Sequence, residues 1–443
     1  MVNPDPTLDL GERLARVLGA KVEGLRRLTG GASRETWSFD AIDTRTDVRR
    51  ELILRRDPPE APRDGMELEA RLLAAAARAG VPVPTVRAAG PADPSRLESS
   101  YLVMDRVEGE TIARKILRDP QYASARTMLA AQCGEALAKL HSVDPSTIAD
   151  LLDVDPLEKY REIYYTLELP IPVFEWAFRW LDTHRPTNPR RTLVHGDFRL
   201  GNLIVDPDGL RSVLDWELAH RGNPMEDMGW LCVRAWRFGG VQPVAGVGTH
   251  QELFDAYEAA GGGPVDAPAV HWWTLAGTVM WGVMCAGQGV AHLTGPLPSV
   301  ELAAIGRRVA EQEHDVLLLM APEVLANALA QPMVVSAPMD TRFGRPNVVQ
   351  LVEAVRQFLD NDVMGAVEGR VQFHARVASN VLAMVERELL CGVEFDWFGY
   401  PSEAALAAAI SSGALDAQAS TLLPVLAATV ATRVRVVNPK HVA

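Results

Sequence analysis

The chain lacks the signature motifs of several large enzyme classes. It has no Gly-Lys dipeptide and therefore no P-loop, and no H-E-x-x-H, C-x-x-C or G-x-S-x-G pattern occurs. A glycine-rich dinucleotide fingerprint after a first strand is also missing. These absences exclude P-loop ATPases, zincins, thiol redox enzymes, serine hydrolases and Rossmann dehydrogenases as leading interpretations.

Cysteine is scarce, and long uninterrupted apolar runs are missing. The four cysteines lie far apart, which fits neither a metal site nor a disulfide framework and predicts a reduced, cytoplasmic protein. Residues 1–14 have no signal-peptide pattern. The most apolar stretch, residues 275–293, is interrupted by Gln288, His292 and four glycines, so it predicts a buried helix rather than a membrane span.

Positive charge is in deficit. With 44 basic and 57 acidic residues the net charge is −13, which argues against a nucleic-acid partner and is compatible with a small-molecule substrate. At 443 residues the chain is too long for one hydrophobic core, so two or three domains are expected.

Hydrophobic periodicity divides the chain into four parts. Residues 1–107 begin with an amphipathic helix pattern at residues 8–18 and continue with strand patterns around one inserted helix, which predicts a small lobe built on a sheet. Residues 108–330 are mainly helical, and residues 331–345 are typical of a linker. Residues 346–443 carry helix patterns throughout and predict a separate all-helical domain.

The most informative stretch is residues 193–217, where polar side chains follow short apolar runs. The runs predict three strands of one small sheet, at residues 193–195, 203–205 and 212–214. They would bring three polar residues to one sheet edge, namely Asp197, Asn202 and Asp215. A base and two oxygen ligands in a cluster suit a metal-assisted phosphoryl transfer.

This stretch resembles a known family. HGDFRLGN, beginning at His195, resembles the catalytic loop of the aminoglycoside phosphotransferase and choline kinase superfamily, and LDWE, ending at Glu217, resembles its metal-binding segment. The D-x-x-x-x-N spacing is also that of the protein-kinase catalytic loop. The resemblance covers about residues 10–330 and implies an α+β, bilobal protein-kinase-like fold, with a small antiparallel-sheet N-lobe and a mainly helical C-lobe.

The sequences of two further segments indicate which group within this superfamily the chain resembles. GVPVP, ending at Pro84, and LDWELAHRGNPMEDMGWL are typical of the kinase-like domain that precedes some acyl-CoA dehydrogenases. The C-terminal helices resemble a module of unknown function that follows such kinase domains in some bacteria. The expected division is therefore a nucleotide-binding lobe, a catalytic and substrate lobe, a linker and a helical domain.

The resemblance implies a role for each polar residue of the motif. Asp197 is the candidate base that accepts the proton of the substrate hydroxyl, and the alternative is an aspartate that caps a turn. Asn202 and Asp215 are the candidate ligands of Mg²⁺ on the phosphates of ATP.

Three further residues are assigned supporting positions. His195 is expected to brace the loop through a side-chain hydrogen bond rather than to perform chemistry. Glu217 is placed near the metal, and Asp227 is a candidate anchor for the backbone of the catalytic loop.

The N-lobe departs from the kinase pattern, because no lysine occurs between Lys21 and Lys115. The phosphate-binding role of the usual strand lysine therefore passes to Arg55, or is missing. Glu69 is its expected helix partner and Glu67 the rival. Arg56 alternates to the other face of the strand and is expected to be solvated.

Other nucleotide contacts are assigned to two loops. Gly31 and Ser33, with Arg34, are phosphate-loop candidates, although the same residues suit a plain hairpin turn. Asp105 and Val107 lie in a stretch that resembles the hinge whose backbone binds adenine.

The sequence says least about the acceptor, the substrate that receives the phosphate. Aromatic residues fall where the family builds its acceptor pocket, although a helix core is the default explanation for most of them: residues 174–180, Trp230, Trp236, Trp272, Trp273 and Trp281. Only Glu168 and Glu175 offer carboxylates in residues 164–180, which favours a hydroxy-acid or acyl-type acceptor. An aminoglycoside-type antibiotic kinase and a non-catalytic pseudokinase-like binding protein are the alternatives.

Overall fold

The structure of the protein is a computed structural model. It describes residues 6–28, 34–58, 65–93, 95–187, 190–296, 298–335 and 342–442. The chain forms two compact units, the first from Met1–Val154 with Pro186–Thr274 and the second from Asp155–Arg185 with Leu275–Ala443.

The first unit begins with a sheet lobe. Five antiparallel strands lie in the order β1-β2-β3-β5-β4. The elements of this lobe are α1 (Pro6–Leu18), β1 (Lys21–Arg27), β2 (Glu35–Ile42), β3 (Arg49–Arg56), α2 (Met66–Arg78), β4 (Val86–Gly90) and β5 (Tyr101–Asp105). The predicted small antiparallel lobe with one inserted helix is confirmed.

Alternation along β3 decides which side chains reach the functional face of the sheet. Leu52 and Leu54 are buried in one cluster with Leu10 and Leu14 of α1. Because successive side chains of a strand point to opposite faces, Arg55 lies on the face away from α1.

Helices and short strands complete the first unit and begin the second. They are α3 (Ala113–Arg118), α4 (Ala123–Leu140), α5 (Pro156–Thr166), α6 (Pro172–Thr183), β6 (Thr192–Val194), β7 (Leu203–Asp206), β8 (Gly209–Val213), β9 (His220–Gly222), α7 (Met225–Cys232), α8 (His250–Ala259) and α9 (Ala267–Thr294). Of these, α5 and α6 belong to the second unit, and the division between the units falls within α9.

The prediction of one three-stranded sheet around the motif was wrong. β7 pairs with β8 in a hairpin, whereas β6 pairs with β9, with Val194 opposite His220. Apolar runs identify strands but do not specify their partners, which depend on how residues 214–219 turn the chain back.

The rest of the second unit is helical. Its elements are α10 (Val300–Arg307), α11 (Val309–Met320), α12 (Pro322–Ala330), α13 (Val348–Phe358), α14 (Met364–Ala366), α15 (Gly369–Leu390), α16 (Glu403–Ser411) and α17 (Ala419–Val437). The helix patterns predicted for residues 346–443 are therefore present, as α13, α15, α16 and α17.

The observed grouping differs from the predicted division at residues 331–345. α17 packs on α11 and α12, and α16 packs on α6, so the C-terminal helices share one unit with residues 275–330. The reason is that α17 buries residues along most of its length, and those residues need partners outside the C-terminal segment. Of the predicted linker, residues 336–341 lie outside the described residues.

One helix, α17, passes a membrane-span test by length and composition alone. An 18-residue window within Asp416–Val437 has a mean hydropathy of 1.4, and 44% of that window is buried within the protein. Its Arg433 forms an ion pair with the buried Glu313 of α11 at 3.0 Å. These contacts make α17 a core helix of its unit.

Candidate active site

The carboxylate of Asp197 is held by hydrogen bonds on both oxygens. Its Oδ1 accepts from Trp230 Nε1–H at 2.8 Å and from Arg199 Nε–H at 2.9 Å. Its Oδ2 accepts from Asn202 Nδ2–H at 2.6 Å. The Asp197 side chain is 14% exposed, so the carboxylate is oriented by fixed donors and still open to a reactant.

Asn202 connects the catalytic loop to the end of β8. Its Nδ2–H also donates to the Asp197 carbonyl at 3.0 Å, and its own carbonyl accepts from Leu214 N–H at 2.8 Å. Among the residues that the structure describes, none donates to the carboxamide oxygen of Asn202. That oxygen is therefore a potential metal ligand next to the candidate base.

Asp215 follows Leu214 in a strained backbone conformation. Its φ is +67°, in the left-handed region that residues with a side chain rarely adopt. Such strain is found at functional sites, where the surrounding structure holds it. The Asp215 carboxylate accepts from Arg55 Nη2–H at 2.9 Å, which joins the end of β8 to the sheet lobe.

Arg55 bridges two carboxylates from different parts of the fold. Besides Asp215, it forms an ion pair with Glu69 of α2, whereas the rival Glu67 is exposed. Burial acts to lower the pKa of Arg55, but the charges of Glu69 and Asp215 more than offset it, so the pKa is raised. The hydrogen bonds of Asn202 with Asp197 and with Leu214 N–H, and that of Arg55 with Asp215, connect the three motif residues to Arg55.

His195 braces the loop through both ring nitrogens. Nδ1 accepts from Asp197 N–H at 3.2 Å, so the proton of the neutral ring lies on Nε2, which donates to the Leu214 carbonyl at 3.0 Å. Burial lowers the pKa of His195, which keeps the ring neutral. The side chain thus ties the residue next to Asp215 to the backbone of the candidate base.

Asp227 binds the start of the catalytic loop. Its carboxylate accepts from His195 N–H at 2.8 Å and Gly196 N–H at 2.9 Å, and it contacts His141 Nε2 at 3.2 Å. Burial acts to raise the pKa of Asp227, but the hydrogen bond from His141 and the loop amides hold it below its ordinary value.

Gly196 can be no other residue in this loop. Its φ is +77°, and a Cβ atom would lie 2.5 Å from the Leu218 carbonyl oxygen. The close approach of these two backbone segments therefore requires glycine at the second position of the HGD motif.

Comparison with known proteins identifies the family of the chain. Residues 24–273, more than half of the chain, match the profile of the phosphotransferase enzyme family. The chain belongs to that family. A second profile, for a domain of unknown function, matches residues 365–441, in agreement with the resemblance of the C-terminal helices to such a module.

Curated relatives of this phosphotransferase are much longer proteins. Mouse acyl-CoA dehydrogenase family member 10 is 33% identical over 246 residues, which cover 51% of this chain and 22% of the relative. Mouse acyl-CoA dehydrogenase family member 11 is 30% identical over 161 residues, which cover 31% of this chain and 19% of the relative. The chain thus spans about a fifth of the length of these relatives.

A solved structure supports the predicted fold. The spectinomycin phosphotransferase APH(9)-Ia, solved with ADP and spectinomycin, superposes with a TM-score of 0.51 at 15% identity. The match covers 72% of this chain and 99% of that one. The α+β protein-kinase-like fold predicted from the sequence is confirmed.

The structure bears differently on the two loops that were predicted to bind the nucleotide, the phosphate loop and the adenine hinge. Gly31 and Ser33 lie outside the described residues. The N–H of Asp105 bonds to the Thr85 carbonyl and its carboxylate pairs with Arg87, so both are already engaged. Within the described part of the chain, the N–H of Val107 has no hydrogen-bond partner, so this group remains the candidate for adenine.

Arg56 departs from its predicted surroundings. It lies on the opposite face from Arg55, as alternation requires, but it is not solvated. Its Nε donates to Glu35 at 2.7 Å, and its side chain is only 13% exposed. Its partner Glu35 belongs to the neighbouring strand β2, and alternation within β3 gives no information about residues of another strand.

Several residues of the site were not found from the sequence. Arg34, a phosphate-loop candidate, pairs with Asp57, Glu69 and Glu217, which the sequence did not indicate, and this places Glu217 beside an arginine. The hydrogen bonds of Asp197 with Trp230 and Arg199, and of Asp227 with His141, were also missed. Except for Arg199 and Asp197, the two partners of each contact are more than 20 residues apart along the chain. No local sequence spacing indicates such a pair.

Tyr257 and Trp236 extend these contacts. Tyr257 Oη contacts His141 Nδ1 at 3.0 Å and so supports the histidine that binds Asp227. The Arg199 guanidinium lies 4.8 Å from the centre of the Trp236 ring, a cation–π contact that fixes the arginine beside Asp197. Trp230 and Trp236 therefore belong to the site, whereas Trp272 is fully buried in the core.

A buried histidine in β9 predicts a pH-dependent stability. His220 contacts Glu226 at 3.3 Å; burial acts to lower the pKa of His220, but the Glu226 charge raises it to about 9. Since the ordinary pKa is lower, this stabilisation is complete below about pH 6.5 and is lost as the pH rises through 9. We expect the wild type to lose about 3 kcal/mol of unfolding free energy over that range.

Urea unfolding measured at several pH values checks this expectation. His220→Gln and Glu226→Gln should both be less stable at pH 6.5 and should show a flatter dependence above it. If the unfolding free energy of both variants depends on pH as that of the wild type does, the His220–Glu226 pair is not the cause of the pH dependence.

Proposed function

We propose that this phosphotransferase transfers the γ-phosphate of ATP to a hydroxyl group of a small molecule, in a reducing, cytoplasmic setting. The observation that carries the proposal is a chain of contacts: Asn202 bonds to Asp197 and to the N–H of Leu214, and Asp215, the next residue, pairs with Arg55. It combines a base, two oxygen ligands and a phosphate-binding cation, which are the parts that phosphoryl transfer requires.

Asp197 acts as the base in this proposal. Trp230 and Arg199 hold one carboxylate oxygen and Asn202 holds the other, so the group needs no reorganisation before it accepts the proton of a substrate hydroxyl. The positive charge of Arg199, fixed against Trp236, lies where it can offset negative charge on the phosphoryl group in transfer.

Asn202 and Asp215 fit a Mg²⁺ ion. The carboxylate of Asp215 and the carboxamide oxygen of Asn202 are hard oxygen donors, the kind that Mg²⁺ prefers, and hydrogen bonds from the protein orient both residues. When bound, the ion would neutralise charge on the phosphates of ATP. The chain's own part is to hold these two oxygens close to the candidate base.

Arg55 takes the place of the missing lysine. A guanidinium can bind two phosphate oxygens at once and stays charged under all physiological conditions. Its ion pair with Glu69 fixes its orientation, and its contact with Asp215 places it at the proposed metal site.

For the acceptor we propose a compound of the hydroxy-acid or acyl type. The relatives named as acyl-CoA dehydrogenase family members support this class, although the matched region is a fifth of their length. The arginine at the candidate base also suits an acceptor that carries negative charge. An aminoglycoside, which is cationic, would be repelled by the same residue.

A phosphorylation screen of a metabolite pool with mass-spectrometric detection tests this choice. We expect phosphorylated products among hydroxylated acids and acyl compounds. Efficient phosphorylation of kanamycin-type amines, with no turnover of hydroxyacyl compounds, would overturn the proposed acceptor class. Nucleotide binding without transfer to any acceptor would favour a pseudokinase-like binding protein.

The role of Arg55 is tested by thermal stabilisation with Mg²⁺-ATP. At about 100 times the Kd, the ligand should stabilise the wild type by about 2.7 kcal/mol. Arg55→Met should raise the Kd for ATP at least about tenfold, because a charge-assisted phosphate contact is lost. The matched control is Arg56→Met on the opposite face of β3, which should bind ATP as the wild type does; equal affinities in both variants would contradict the assignment.

A further inference from the structure

Helix α13 exposes its apolar residues to solvent. Val348, Leu351, Val355 and Phe358 are each about half exposed, and their spacing of three, seven and ten residues puts them on one face. We call these four residues the α13 stripe. No residue of α13 is buried, so within the described residues this amphipathic helix has no core to enter.

Arg356 of the same helix points the other way. Arg356 forms ion pairs with Asp360 and with Glu386 of α15, both at 3.5 Å. Asp360 in turn accepts a hydrogen bond from Ser379, one of the few buried residues of α15. The helix therefore turns its arginine toward α15 and its apolar stripe outward, the reverse of a normal surface helix.

Four further exposed residues beside the α13 stripe carry no charge: Gln350, Ala354, Gln357 and Asn361. The exposed Asp362 lies one turn beyond Phe358, at the C-terminal end of this face. The stripe itself offers nothing to a partner that is recognised by charge. For a chain with a net charge of −13, however, the stripe is a surface on which two copies can meet without bringing like charges together.

Helix α15 adds apolar surface to the hairpin that it forms with α13. Val371, Val385 and Leu389 are exposed, and their spacing of 14 and 18 residues places them on one face of α15. With the α13 stripe, they amount to roughly 550 Å² of apolar area per copy, and a standard interface buries about 800 Å² per partner, somewhat more than half of it apolar. The available surface is therefore enough for a stable dimer.

We propose that the α13 stripe is a dimer interface and that its occupant is the same face of a second copy of this chain. Two-fold pairing is the commonest symmetry of soluble oligomers, and it requires a self-complementary surface, which an uncharged apolar stripe provides. The α13–α15 hairpins of two copies would form a four-helix arrangement with the apolar faces inside. The proposal does not depend on the function of the catalytic site.

Sedimentation velocity of the full chain over a wide concentration range tests the proposal. The wild type should have twice the mass of one chain, and Leu351→Glu combined with Phe358→Glu should weaken the dimer at least about tenfold. Because both side chains are half exposed, the double variant should keep the wild-type circular dichroism and melting cooperativity. The matched control is Leu293→Glu, at a 79% exposed leucine of α9 in the same unit, which should remain dimeric.

Cross-linking identifies the face directly. In a Cys391→Ser background, Val355→Cys lies in the middle of the α13 stripe, and a short bifunctional maleimide should link two chains through it. Leu293→Cys should give no linked dimer. A wild type that is monomeric at every concentration, or a dimer that survives the double substitution, would overturn the proposal, as would a stripe that is protected only in a complex with a different protein.

Discussion

Asp197→Asn is expected to lower kcat by about 10²–10⁴-fold, because a general base contributes on that order to proton transfer. The amide keeps the size of the carboxylate but cannot accept the proton of a substrate hydroxyl. The Asp197 carboxylate also makes hydrogen bonds with Trp230, Arg199 and Asn202, and the amide cannot accept from all three donors. Steady-state kinetics with the acceptor identified by the screen measures the effect.

The control for this variant is Asp208→Asn, in the exposed turn between β7 and β8. It makes the same chemical change a few residues away and should leave kcat unchanged. The melting temperature of both variants should lie near that of the wild type, since Asp197 is partly open to solvent. A fully active, folded Asp197→Asn enzyme would eliminate the proposed base mechanism.

Asp227→Ala is expected to destabilise the protein by about 3–5 kcal/mol, the cost of removing one partner from a fully buried polar set. The two loop amides and His141 would each lose an acceptor. The pKa of Asp227 is held low, so its stabilisation is present above the ordinary aspartate pKa and is lost only as the pH falls through the folded value. The loss in the variant should therefore be complete at neutral pH.

Urea unfolding at pH 7 measures this difference. Asp227→Asn, which keeps one acceptor oxygen and the volume of the side chain, should lose less stability than the alanine variant. Asp208→Ala serves as the control and should unfold within about 0.5 kcal/mol of the wild type, as exposed substitutions do. Equal stability of Asp227→Ala and wild type would mean that the loop needs no anchor.

The relative loss of turnover and of stability in the Asp197 and Asp227 variants distinguishes a catalytic residue from a residue that positions the catalytic loop. Asp197 is partly exposed and touches the reacting hydroxyl in the proposed mechanism, so its loss should reduce turnover more than stability. Asp227 is buried and acts through the backbone of His195 and Gly196, so its loss should reduce stability first. Activity of Asp227→Ala at low temperature, where the fold persists, would show how far the loop keeps its position unaided.

Local pattern in the sequence determined the kind of site and most of its members. The spacing from Asp197 to Asn202, with Asp215 after the next strands, specifies the loop because these residues are near neighbours in the chain. The resemblance to kinases, with lysine absent from the N-lobe, made Arg55 the candidate for the phosphate-binding role, and alternation along β3 placed Arg56 on the other face. The same resemblance predicted Glu69 as the partner of Arg55, and the structure places the two in contact.

Tertiary structure alone decided which distant groups complete the site. Three contacts join residues that are far apart in the chain and follow no helix or strand periodicity: Trp230 with Asp197, Arg34 with Glu69, and His141 with Asp227. The pairing of β6 with β9 and the grouping of the C-terminal helices were also decided at this level. Helix and strand patterns describe one segment at a time, whereas burial and hydrogen-bond partners depend on how segments pack, and only the folded chain specifies that.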